Sequence, residues 1–509
     1  MSSLLKSAAK TIKRDVCIIG GGAAGTYAAL RLRDAGKSVV IVEKSSKLGG
    51  GNRGTPNPTL LRDSKITRKL YSRFNIDLKR QKFAYFSDKA KTFKIIDFEK
   101  GEIVSPEKYD ADGMPLPAKL RGSFEGSITP EALKSWQDQI PFYKVDELSL
   151  TRKRAKNEPK VKPTIHIKDQ AYGKTVTGQY RNVIASMAYN FCRGYGDLYK
   201  LPMINVVRNF GPTTLRALEE GFLMPEDVNN EKLYRLAQHE LKNDILFNFT
   251  PVQSEETGGR IVIDVKRRYS PQDSGEPDEK NTATIEADTC FFTIPPSKEN
   301  LAWLDLALYQ QRILHGFKFT GWYTMKVSNT RLRDDIHFYG GTTFGVKEHV
   351  RSGQKKSHKP WQAIYDIRPT GVPGTFQLDF GFDGYLNLDR ERTLEYIVTA
   401  LRRLWTKSVR QELFLPGTVA DDIQPVFDDM ELHHPYGARL SDKVNESYDY
   451  RWDEMMKNHI ETLPHVVFGG AAFSRSHDAS LIWENTEQLL DRLLKPKIQP
   501  WQRPSEEEI

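Results

Sequence analysis

The chain has 509 residues, 39% of them hydrophobic and 28% charged, and a formal net charge of +9; that length suits a large core shared by two interleaved domains. No apolar run approaches the roughly 18 residues of a membrane span, so a soluble, cytoplasmic protein without a membrane partner is expected. The basic stretches at 151–162 and 355–359 interleave no aromatics and match no nucleic-acid module, so they read as solvated loops and no nucleic-acid partner is expected.

Residues 1–14 carry four Lys/Arg, no acid and no long apolar core, and read as a frayed leader. The run VCIIGGGAAGTYAALRLRDAGKSVVIVEK at 16–44 follows, a βαβ unit of the dinucleotide-binding kind. Its apolar start, 16–19, is a buried parallel strand. Gly20 permits the turn out of the strand, Gly22 lets the backbone approach a pyrophosphate, and Gly25 lets the helix pack closely on the sheet. Ala23 and Ala24 open that helix, whose amides face the phosphates. Ala28, Ala29, Leu30 and Leu32 continue it, Gly36 ends it, and 38–42 forms the second strand. Glu43, eighteen residues after Gly25, is placed to accept hydrogen bonds from ribose hydroxyls, with Lys44 beside it.

Leu48, Gly49 and Gly50 bring the chain past the phosphates a second time. This feature resembles the FAD-binding half of the flavin amine oxidase superfamily, and it favours FAD over NAD. Residues 231–241 read as a helix, and 244–249 as a strand leading into Pro251 and Val252. Strands at 261–265 and 284–292 flank a polar insertion and end in Thr293, Ile294, Pro295 and Pro296. They read as a second contribution to the nucleotide domain, with Val252 near the adenine; an ordinary β-hairpin fits the same pattern. The third segment is HVVFGGAAFSRSHDASLIWENTEQLLDRLL at 465–494. Here a buried strand meets Gly469 and Gly470, and a helix begins at Ser480, Leu481 and Ile482. Amides at such a helix start suit an anionic flavin pyrimidine ring.

These blocks, together with FFTIPPSKENLAWLDL, GWYTMKVSNT and HHPYGARLS, resemble in order the fungal FAD-dependent flavin-containing amine oxidoreductases, the group similar to β-cyclopiazonate dehydrogenase. The resemblance implies an α/β fold. It has a Rossmann-like FAD domain of glutathione-reductase type, built from discontinuous segments at 1–60, 231–300 and 455–495. An α+β substrate domain spans 61–230 and 301–454, with a tail at 496–509. It also implies oxidation of an amine or secondary-metabolite-like small molecule by hydride transfer to flavin N5, the flavin acting as electron sink. Lys326 matches a lysine that in flavin amine oxidases holds a water near N5 and assists reduction of O2 as electron acceptor; a solvent-facing strand lysine is the alternative. Relatives carry Arg or His after the second glycine pair and a longer stretch before the next helix, whereas here that helix follows almost at once. Arg53 is the candidate for the missing basic contact.

Trp322, Tyr323, Tyr365, Phe380, Phe382 and Trp483 are candidates to flank a flat substrate, or are core. His434, His477 and Asp478 are polar candidates to orient substrate or shuttle a proton near neutral pH, with His477 the catalytic candidate; the alternative is that His477 is a loop residue that caps the following helix together with Asp478. No His/Cys cluster has metal-ligand spacing, so no metal is expected. Cys17, Cys192 and Cys290 are scattered, which fits a reducing compartment and no disulfide framework. Two readings stand: an FAD-dependent amine oxidase or dehydrogenase, and a degenerate flavin-fold protein that serves as a binding or structural partner.

Overall fold

The computed structural model describes residues 10–53, 59–81, 92–98, 101–103, 209, 214, 216, 217, 220–227, 229–268, 281–340, 362–383, 390–406, 410–433, 438–440 and 455–494. His434, Cys192 and the basic stretch at 151–162 lie outside them. The chain opens with β1 (Lys10–Ile19), α1 (Ala23–Asp34) and β2 (Val39–Glu43), followed by α2 (Lys65–Arg73), β3 (Leu78–Gln81), β4 (Thr92–Asp97) and β5 (Glu102–Ile103). Next come β6 (Phe222–Pro225), α3 (Glu231–Glu240), β7 (Ile245–Phe247), β8 (Phe249–Thr257), β9 (Arg260–Arg267) and β10 (Thr282–Phe292). Then β11 (Phe317–Ser328), β12 (Ile336–Gly340), β13 (Gln362–Pro369), β14 (Thr375–Asp383) and α4 (Arg390–Thr406) lead to β15 (Val426–His433) and β16 (Ala438–Leu440). Last are β17 (Val466–Phe468), α5 (Ala471–Ser474) and α6 (Ala479–Leu494).

The first sheet runs β7-β2-β1-β10-β9-β8, and β17 joins the carboxyl half of β10. The strands β7, β2, β1, β10 and β17 are parallel neighbours, while β9 and β8 return antiparallel. Alternation carries Val16, Ile18, Val39, Ile41, Phe291 and Val467 to the side of α1, α3 and α6. Cys17, Ile19, Val40, Val42, Cys290, Phe292 and Val466 go to the other side, against Trp303 and Leu304. Both faces are therefore apolar, as a parallel core sheet requires. Each fully buried aliphatic side chain contributes about 1.5–3 kcal/mol. The Lys13–Glu286 ion pair, with Lys13 68% exposed, adds about 0–1 kcal/mol, so packing and not charge holds β1.

Two boundaries move from their expected places. Lys10 to Arg14, expected as part of a frayed leader, pair in register with Ala283 to Ala287, so β1 begins well before the apolar run. Leu61, Leu70, Tyr71, Ile76 and Leu223 sit in the same core as α1 and α6, so the first domain extends past residue 60.

The second sheet runs β15-β11-β14-β13-β12-β4-β5, and β16 pairs the start of β11. One face packs Tyr323, Met325, Val327, Phe376, Leu378, Phe380 and Phe382 under Ile397, Ala400, Leu401 and Leu404 of α4. No helix among the described residues is long and apolar enough to cross a membrane.

Candidate cofactor-binding site

Gly20 leaves β1 at φ +102°, a conformation an L side chain rarely adopts. Its N–H donates to the Val42 carbonyl at 2.9 Å, and its own carbonyl accepts from the Thr293 hydroxyl at 3.0 Å. Helix α1 starts at Gly22 with no capping side chain and no acid in its first turn. The Thr26 amide makes the first helical bond, to the Gly22 carbonyl at 2.9 Å. The amides of Ala23, Ala24 and Gly25 precede it and project beyond the helix end, which carries partial positive charge. The glycines divide the work. A Cβ on Gly25 would stand 1.9 Å from the Gly20 carbonyl oxygen, so that glycine is demanded by the fold. A Cβ on Gly22 would meet nothing within 4 Å, so that glycine keeps a space open in front of the amides.

Glu43, at the end of β2 and only 7% exposed, is fixed on both oxygens. Its Oε2 accepts from the Gly21 amide at 2.6 Å, and Oε1 from the Ser45 amide and hydroxyl at 2.8 Å each. The carboxylate is thereby joined to the glycine loop, with remaining lone pairs for ribose hydroxyls. Lys44 is exposed. The second glycine pair closes over the loop: the Gly49 amide donates to the Gly21 carbonyl at 2.8 Å, and a Cβ on Gly50 would lie 3.4 Å from the Gly22 Cα. Arg53 turns to the Leu48 carbonyl (3.5 Å) and to Glu231 of α3 (3.7 Å), so its charge is shared with an acid.

From the other side, the Gly469 amide donates to the Phe292 carbonyl at 2.8 Å. Gly470, at φ +87°, lies so close to Thr293 that a Cβ would stand 2.4 Å from its carbonyl oxygen. The three sequence segments therefore meet at the carboxyl ends of β2, β1, β10 and β17. That is the crevice where a doubly wound sheet reverses its strand order and takes a dinucleotide. Glu43 ends β2 on one side of Gly22, and Gly470 lies on the other, beside Thr293 at the end of β10. Val252 lies at an irregularity in the pairing of β8 with β9, on the edge of the sheet opposite β7, and is 54% exposed.

The helix start at Ser480, Leu481 and Ile482 corrects the expectation. The amides of Ser480 and Leu481 donate to the Asp478 carboxylate at 2.8 and 3.2 Å, and the Ile482 amide donates to the Asp478 carbonyl at 3.0 Å. These donors are spent within the chain, so they do not serve a flavin ring. Asp478 caps the helix, while His477 occupies the preceding loop, half-buried.

The catalytic and pocket candidates separate. Lys326 is exposed, in register with Gln377 and Asp428, the setting of a surface lysine. Tyr323, Phe380 and Phe382 pack beneath α4, and Trp483 packs against Tyr71 with ring centroids 6.1 Å apart; these four are core, not pocket. Tyr365 lies on the opposite sheet face, its ring against Gly381. Of Trp322 only the backbone, on β11, is described.

That opposite face carries what sequence reading missed. Thr324, Asp379, Asp366 and His337 are all at most 5% exposed and follow one another across β11, β14, β13 and β12. The Thr324 hydroxyl donates to Asp379 at 2.8 Å. Arg368 lies 3.4 Å from Asp379 and 4.0 Å from Asp366, and His337 Nε2 lies 3.7 Å from Asp366. Asp366 and Asp379 are direct cross-strand partners, an arrangement that like charges oppose, and Arg368 bridges them. Alternation of polar with apolar residues in IHFYG, AIYDIRP and TFQLDFGF was the available signal.

Cys17 and Cys290 are in register, free and fully buried. Burial pushes both thiols well up, which leaves them as inert packing groups.

A glycine loop before an uncapped helix, an acid ending the second strand and a crevice at the reversal of strand order define a dinucleotide-binding oxidoreductase fold. A family model described as FAD dependent oxidoreductase matches residues 15–110. More particularly, the chain is similar to fungal FAD-dependent oxidoreductases over most of its length. It is 24% identical to the FAD-dependent oxidoreductase dbaF of Emericella nidulans, over 95% of this chain and 91% of that protein. It is 26% identical to the β-cyclopiazonate dehydrogenase of Aspergillus oryzae, over 66% of this chain and 68% of that protein. Its fold is that of wild-type putrescine oxidase (TM-score 0.56, 11% identity, 95% of this chain and 100% of that one). A CLA-producing fatty acid isomerase from P. acnes shares it as well (TM-score 0.60, 13% identity, 94% of this chain and 98% of that one). These similarities indicate an FAD-dependent oxidoreductase, with FAD as the cofactor.

Proposed function

We propose that the chain holds FAD between its three segments and oxidises an amine or secondary-metabolite-like small molecule by hydride transfer to flavin N5, with O2 a candidate acceptor. The observation that carries this reading is the open space at Gly22 before the uncapped amides of α1, covered by Gly50 and flanked by Glu43. FAD would supply the electron sink. Ala23, Ala24 and Gly25 would bind its pyrophosphate through their amides, and Glu43 would orient the adenosine ribose. The buried polar face of the second sheet supports a substrate-facing role for His337, Asp366, Arg368 and Asp379, because such groups are costly to bury for packing alone.

The purified protein should be yellow, or become so on adding FAD, and candidate amines should bleach the flavin absorbance under anaerobic conditions. Colourless protein that FAD cannot reconstitute would leave only a binding or structural role.

A further inference from the structure

Arg62 is 2% exposed and stands where the N-terminal segment turns toward α2. Its guanidinium lies 2.5 Å from Asp478, donates through Nε to the Thr214 hydroxyl at 2.9 Å, and through Nη2 to the Asn209 carbonyl at 2.7 Å. The Arg62 amide donates to the Ser480 hydroxyl at 3.2 Å. Asn209 in turn donates to the Arg475 carbonyl at 2.9 Å and accepts from the Ser476 hydroxyl at 2.8 Å. One buried network thus ties the chain that follows Gly50 to the chain that follows Gly470. The strands end in the order β2, β1, β10, with β17 paired to β10, so the chain after Gly470 leaves the sheet on the far side of β1 from Glu43, the side toward which the ring end of FAD would lie in the binding mode proposed above.

The charges at that end are arranged with an excess held in check. Arg62 brings one full positive charge, and the start of α6 adds about half of another through its amide dipoles. Asp478 is bonded to both. It neutralises Arg62 and occupies the amides that would otherwise face an anion.

We propose that Asp478 and Arg62 together set the electrostatic potential at the ring end of the FAD site, Asp478 holding the flavin potential down and Arg62 holding it up. The inference rests on FAD binding as proposed above. Reduced flavin can carry negative charge that oxidised flavin lacks, so a nearby change of charge acts on the reduced form more strongly. In a buried setting such fields are weakly screened.

The test is the midpoint potential of bound FAD, with dissociation constants for FAD and apoprotein melting curves beside it. Asp478→Asn should raise the potential, favouring the reduced form about tenfold, which for a two-electron couple is about 30 mV. Arg62→Gln should lower it by a similar factor, and the double variant should return close to the wild type. Leaving a buried partner unpaired can prevent folding; if Arg62→Gln does not fold, the single Asp478→Asn and the double variant decide the matter. Opposite shifts that cancel support the proposal. Equal potentials, or shifts of one sign accompanied only by lower melting temperatures and weaker FAD binding, would reduce the pair to a structural clamp. A wild-type chain that takes up no FAD would instead overturn the functional reading beneath it.

Discussion

Gly22 and Gly25 stand three residues apart, yet substitution should separate them cleanly. Gly25→Ala puts a methyl 1.9 Å from the Gly20 carbonyl oxygen, a backbone clash beyond the usual 1–3 kcal/mol or so of overpacking; we expect a sharply lower melting temperature for apoprotein and holoprotein alike. Gly22→Ala meets open space, so apoprotein stability should hold while FAD affinity falls about tenfold or more, about 1.4 kcal/mol. Fluorescence titration with FAD beside melting curves separates the two, and a Gly22→Ala protein with normal affinity would show that the space does not face a phosphate. Lys326, exposed on β11, makes the contrary case: Lys326→Met should leave flavin reoxidation by O2 within about twofold of wild type in stopped-flow traces, below the 10²–10⁴-fold range of acid–base catalysis. Glycine spacing was legible because each glycine's demand is local. The fate of the Ser480 and Leu481 amides was not, because an Asp two residues upstream can cap a helix or leave it open, and the distant Arg62 helps to hold it in place.

At the scale of elements, α1 and α6 are joined above their apolar contact by Glu487. It accepts from the Tyr27 hydroxyl at 2.8 Å and lies 3.0 Å from Arg31. Burial pushes the Glu487 carboxyl up, but the bonds from Arg31 and Tyr27 outweigh it and leave the group below its ordinary value of 4.5. Asp34 is likewise held down, chiefly by its bonds from Arg73. Both are more acidic folded than unfolded. Their contribution is therefore complete above the ordinary carboxylate range and is lost as pH falls through their folded values. Melting temperature should decline as pH is lowered below about 4.5, and Glu487→Gln, costing about 1 kcal/mol at neutral pH, should make that decline shallower. An unchanged slope would assign the acid sensitivity to other groups. The sequence revealed α1 and α6 through their apolar spacing, and β2 and β10 through their β-branched runs. It did not reveal that β1 starts at Lys10, because the strand's first half carries Lys10, Lys13 and Arg14 ahead of the apolar run, nor that α2 belongs to the first core, because that depends on a partner segment near Leu223.

Across the whole molecule, a single ligand would bridge pieces of chain that are remote in sequence, and its binding energy should be visible in all of them at once. A ligand at a hundredfold excess over its dissociation constant stabilises the native state by about 2.7 kcal/mol. Hydrogen exchange in apoprotein and FAD-loaded protein can show where that stabilisation is felt. Slower exchange is expected at Gly22 to Gly25, at Gly49 and Gly50, which meet that loop at Gly21 and Gly22, and at Gly470 to Ser476, which approaches it through Thr293 beside Gly20. The strand β14 and helix α4, packed on each other through Phe376, Leu378, Ile397 and Leu401 on the far face of the second sheet, should exchange alike in both forms, because their hydrogen bonds open only with that separate core. Protection confined to the first stretch would mean that the dinucleotide is held by the βαβ unit alone, and that the C-terminal segment closes the domain without touching the cofactor.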